Sequence, residues 1–188
     1  IHIINNSCFN NGKYGGVWQG AHGIISGNIF KGNGATGGIG GGMTANCSYS
    51  SIVDNTFVAN NNFQFDAGGA YALQITNNYF RSGGQKNNVT TVDINVGGCQ
   101  KTTVSGNYIV NKTNNDCEAI KAIAIEGTIQ TNPFNQYGSE LTITNNFIDI
   151  NTNVNSKGIL ITAGYRNVIV QNNTVITAGT SNEYLLEN

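Results

Sequence analysis

Ten of the residues are acidic, and three of them lie in short apolar/polar alternating runs. Asp66 belongs to Phe63-Gln64-Phe65-Asp66-Ala67-Gly68, Asp93 to Val92-Asp93-Ile94-Asn95-Val96-Gly97, and Glu126 to Ile123-Ala124-Ile125-Glu126-Gly127. If Phe63, Phe65, Ile94, Ile123 and Ile125 point inward, period-2 alternation puts Gln64, Asp66, Asp93, Asn95 and Glu126 on one outer face. Stacked as neighbouring strands, the runs bring Asp66, Asn95 and Glu126 into one column, with Asp66 and Glu126 roughly 9.6 Å apart and Asp93 roughly 8 Å from either. Inverting hydrolysis of a glycosidic bond needs an acid and a base carboxyl about 6.5–9.5 Å apart, with room for the attacking water. The pattern therefore points to Glu126 as general acid, with Asp93, or alternatively Asp66, as base. A raised pKa on the acid calls for a shielded carboxyl, and the segment 127–140, with Phe134 and Tyr137, is placed to wall off Glu126. Gln64, Asn95, Tyr71, Phe134 and Tyr137 are the candidate sugar-binding side chains. The same acids also suit a solvated strand face with no catalytic duty.

Other chemistries find little support. His2 and His22 have no Ser or Cys nucleophile in a recognisable elbow. Gly32-Asn33-Gly34-Ala35-Thr36-Gly37 has the G-x-G-x-x-G spacing without a following helix to hold a pyrophosphate, in a chain with 25 glycines. The four cysteines, Cys8, Cys47, Cys99 and Cys117, are scattered and read as buried free thiols, and no cofactor or metal is expected. Nine Lys plus Arg and a net charge of −1 form no basic stripe, which argues against nucleic acid as a partner. No apolar run approaches the roughly 20 residues that span a bilayer, so no membrane partner is expected.

The elements that must position these residues follow from composition and repetition. The 188 residues include 32 Asn and 25 Gly, and only 10% are charged; Asn and Gly are poor helix formers. An Asn with an apolar residue three positions before and two after it recurs seven times, at Asn6, Asn28, Asn55, Asn78, Asn107, Asn146 and Asn173. Such short alternating strands, repeating without a helix between them, predict an all-β, right-handed, single-stranded parallel β-helix of about seven coils. In it the asparagines stack as a ladder, tolerating the left-handed corner and bonding to one another. The expected organisation is a single domain over 1–188, read as a fragment of a longer chain.

Leu73-Gln74-Ile75-Thr76-Asn77-Asn78-Tyr79-Phe80 and Leu141-Thr142-Ile143-Thr144-Asn145-Asn146-Phe147-Ile148 resemble the repeat of the right-handed parallel β-helix (pectate-lyase-like) superfamily. The Asn- and Gly-rich texture is most similar to bacteriophage tailspike and polysaccharide depolymerase domains. That resemblance implies a homotrimer, extracellular or on a virion, that binds and hydrolyses a bacterial surface polysaccharide. The alternatives it leaves are a non-catalytic receptor-binding or adhesin module and a polysaccharide lyase. A lyase would typically use a basic residue beside acid-bound calcium, and neither Arg81 nor Arg166 has an acid cluster close to it in sequence.

Overall fold

The computed structural model describes residues 1–34, 40–81, 90–112, 116–123, 138–150, 155–162 and 165–177, and the backbone of 182–186. Among the described residues each repeat delivers two strands to the larger of two all-parallel sheets and one to the smaller, with β6 serving two successive repeats. The larger, 13-stranded sheet holds β1 (His2–Ile4), β3 (Tyr14–Ala21), β4 (Ile24–Ser26), β6 (Gly41–Val53), β8 (Phe63–Asp66), β9 (Tyr71–Thr76), β11 (Thr91–Asn95), β12 (Gln100–Ser105), β14 (Cys117–Ala122), β15 (Ser139–Thr144), β17 (Lys157–Ile161), β18 (Arg166–Gln171) and β20 (Asn182–Leu186). The smaller, 7-stranded sheet holds β2 (Ser7–Phe9), β5 (Ile29–Lys31), β7 (Thr56–Val58), β10 (Tyr79–Arg81), β13 (Tyr108–Asn111), β16 (Phe147–Ile150) and β19 (Thr174–Ile176).

This strand order overturns the expected single-stranded right-handed β-helix. That architecture keeps the Asn-repeat strands and the intervening alternating strands apart, whereas here both belong to one continuous sheet, ordered β18-β15-β12-β9-β6-β8-β11-β14-β17-β20. The junction is β6, 13 residues long, which pairs with β3 and β4 on one side and with β8 and β9 on the other. The physical reason lies in its sequence. Between Gly42 and Asp54 there is neither glycine nor proline, and Tyr49, despite a φ of 50°, bends the strand without ending it.

The core forms where the two sheets face each other. Ile25, Ile52, Ile75, Val104 and Ile143 occupy one fully buried column. Across from it the rings of Phe30, Phe57 and Phe80 stack at 5.0 and 4.9 Å between centroids, continued by Ile109 and Ile148. Trp18 and Met43 are also interior. Among the described residues all four cysteines are free, Cys47, Cys99 and Cys117 buried and Cys8 half-buried.

All seven asparagines line up. Each of the first six donates its backbone N–H and its Nδ2 to Oδ1 of the next, from Asn6 through Asn28, Asn55, Asn78, Asn107 and Asn146 to Asn173, at 2.8–3.1 Å. The duties assigned to one Asn are split between two residues. The left-handed corner falls on the preceding residue, Asn5, Gly27, Asp54, Asn77, Gly106, Asn145 or Asn172, at φ between 55 and 65°, all types that enter this region at low cost. At Gly27 a side chain has no space, since a Cβ there meets Asn5 Oδ1 at 2.3 Å.

Candidate functional site

The expected carboxylate cluster does not assemble among the described residues. Asp66 and Asn95 are paired in register on β8 and β11, as anticipated, but the next residue in that column is Lys121 of β14, not Glu126. The strand registers on Cys117–Ala122, several residues before the run that ends at Glu126. Glu126, Phe134 and Tyr137 themselves lie outside the described residues.

Asp93 and Gln64, expected on the outer face, are both wholly buried. Strict alternation fails here: β8 and β11 each bury two consecutive residues, Gln64–Phe65 and Asp93–Ile94. The first of each pair meets a buried Asn. Asn60 Nδ2 donates to Gln64 Oε1 at 2.6 Å, and Asn111 Nδ2 donates to Asp93 Oδ2 at 3.1 Å. Among the described residues Asp93 Oδ1 and Gln64 Nε2 have no hydrogen-bond partner. Burial pushes the Asp93 carboxyl up to about 7, opposed by the Asn111 bond. A group this enclosed cannot reach a substrate from solvent, so Asp93 is corrected from candidate base to buried structural acid, and Gln64 from substrate ligand to core amide.

Asp66 stays half-exposed on the outer surface. Asn95 Nδ2 donates to its Oδ1 at 2.7 Å, and Thr44 Oγ1 approaches its Oδ2 at 3.4 Å. Desolvation holds its pKa above the ordinary carboxylate value, against these bonds and one from the Gly68 N–H. Glu118, the acid on the following strand, pairs with Lys121 at 2.5 Å. The Thr44–Asp66–Asn95–Lys121 column thus offers hydrogen-bonding groups but, among the described residues, no second accessible carboxyl at water-bridging distance. No group of three or more metal-ligating side chains occurs among the described residues either.

A second surface, which reasoning from acids passes over, lies on β6, β9, β12 and β15. Flanking the buried Ile52, Ile75, Val104 and Ile143, the alternate positions point outward. Ser51, Gln74, Thr103 and Thr142 stand directly in register, and one step along the strands so do Thr76 and Ser105. These six side chains are half-buried or exposed. None hydrogen-bonds to a described residue. Parallel-strand geometry sets a grid of about 4.8 Å across the strands and roughly 6.6 Å along them. The signal was present in the repeat as the variable positions around its central apolar residue, in Gln74-Ile75-Thr76 and Thr142-Ile143-Thr144. Tyr71, half-buried at the start of β9, borders this face.

No protein-family model matches the chain, and no curated protein is similar to it.

Proposed function

We propose that this chain is a non-cleaving polysaccharide-binding module of the tailspike kind, acting on a virion or another extracellular surface, and that its ligand lies across the Ser51–Gln74–Thr103–Thr142 face. The observation that carries the reading is that six in-register hydroxyl and amide groups, on a rigid sheet, have no partner among the described residues. A glycan is a repeating array of hydroxyl donors and acceptors. A fixed grid of such groups exchanges hydrogen bonds with it at little ordering cost, because the backbone is already set. Asp66, Asn95 and Tyr71 extend the polar and aromatic surface beside the grid.

Binding without cleavage is favoured over hydrolysis because Asp93 is enclosed and Asp66 has only amide, hydroxyl and ammonium neighbours in its column. Each hydrogen bond lost to solvent is worth about 0.5–1.5 kcal/mol net. Thr103→Val with Thr142→Val should therefore weaken binding by about 1–3 kcal/mol, roughly 5–150-fold. The assay is retardation in gels containing purified bacterial surface polysaccharides. Unchanged retardation of the double variant, or steady release of reducing ends by the wild type, would contradict the reading.

A further inference from the structure

Beside the hydroxyl grid runs a ridge most of whose residues are ill suited to their backbone. His22, Tyr49, Ala72, Lys101, Glu140 and Asn167 each have φ between 50 and 55°. Each follows a residue of one register column, Ala21, Ser48, Tyr71, Gln100, Ser139 and Arg166, so they occupy one corner on six successive layers. At the neighbouring corner of the same layers the left-handed residues are only Asn, Gly and Asp. Here four of six, Tyr49, Ala72, Lys101 and Glu140, are types that this conformation disfavours, including an aromatic and a long cation. Strain kept where a cheaper residue was available is a mark of a side chain needed for its chemistry.

The side chains form a connected, exposed group. The His22 and Tyr49 rings stack at 5.2 Å and 8°, and Tyr71 meets Tyr49 edge-on at 5.3 Å. Lys101 Nζ lies 5.4 Å from the Tyr71 ring centroid. Tyr49 is 56% exposed. His22 and Tyr49 turn one face to each other, and an aromatic rim is electropositive where the face is negative. Positive rims, phenol and imidazole donors, and an ammonium together favour an anion. Glu140, the next residue beyond Lys101 in the column, disfavours one on its own layer, which confines the preferred position to the stretch from His22 to Lys101.

We propose that this ridge is an anion-selecting subsite of the glycan face, taking a carboxylate or phosphate carried on the saccharide chain, with Lys101 as its charge-pairing residue; this rests on the polysaccharide-binding reading. Three polymers test it by affinity electrophoresis at low ionic strength: alginate for carboxylate, phosphomannan for phosphate, and dextran as the neutral reference. The wild type should bind at least one of the two polyanions more tightly than dextran, and which one identifies the anion. Lys101→Gln should reduce that preference by roughly fivefold, the scale of one exposed charge pair, leave dextran retardation unchanged, and be rescued by Lys101→Arg. Equal retardation by all three polymers, or a polyanion preference that survives Lys101→Gln, overturns the subsite while the polysaccharide reading stands. Absence of retardation by any of the three overturns both.

Discussion

Replacing Asp93 by Asn should make the protein more stable at neutral pH, although it alters a fully buried, hydrogen-bonded residue. The carboxyl titrates at about 7 in the folded chain against a reference of 3.8, so the folded state favours its protonated form. Below pH ~4 both states are protonated and Asp93 costs nothing. As pH rises from ~4 to ~7 the unfolded chain releases the proton and the folded chain holds it, so stability falls, and above ~7 the difference is constant. About three pH units at ~1.4 kcal/mol each give up to roughly 4 kcal/mol. Asn at this position keeps an oxygen to accept from Asn111 and has no ionisation. Urea denaturation from pH 4 to pH 8 should show the stability difference, Asp93→Asn minus wild type, growing by up to roughly 4 kcal/mol over that range. Taking this difference cancels Asp66, whose pKa is also raised by burial. Parallel pH profiles for the two proteins, or a wild type that gains on the variant as pH rises, would refute the argument from burial.

Two further perturbations test the ladder and the core. Asn78→Ala removes the acceptor for Asn55 and the donor to the Ile52 carbonyl and to Asn107; at about 1–3 kcal/mol for each buried group left unpaired, chemical denaturation should show a loss of about 3–5 kcal/mol. Phe57→Ala opens a void between Phe30, Phe80 and Phe65 and should cost about 3–5 kcal/mol by the same measurement. A loss under about 1 kcal/mol in either would show that the layers are held by something else.

The seven aligned asparagines and the buried columns of Ile52, Ile75 and Phe57 were legible in the sequence, because one residue type at one phase of a repeat has one place to go. The joining of the strands through β6 was not, since it depends on a corner at Tyr49 that bends Gly41–Val53 without ending it, and local propensity does not register a bend that fails to break a strand. Lys121 stands where Glu126 was expected because apolar alternation continues from Ala119 past Ile125 and closes on Gly127. The pattern therefore fits two registers, and only pairing of Ile120 with Ile94 selects one. Asp93 was misplaced because alternation fails in mid-strand, where β11 buries Asp93 and Ile94 in succession and the buried Asn111 donates to the Asp93 carboxyl. The hydroxyl grid was written in the repeat, but as polar positions of a strand rather than as a site, because its regularity exists only once the layers are stacked.

The most direct test of the glycan-binding account is a methyl chemical-shift titration with an oligosaccharide fragment of a polysaccharide that the protein retains. The account expects saturable shifts at the Thr76, Thr103 and Thr142 methyls, with the core methyls of Ile148 and Ile109 unmoved. Shifts centred instead on the Val110 methyls, on the outer face beside the Tyr79–Tyr108–Phe147 stack, or none on the three threonines at saturating ligand, would contradict it.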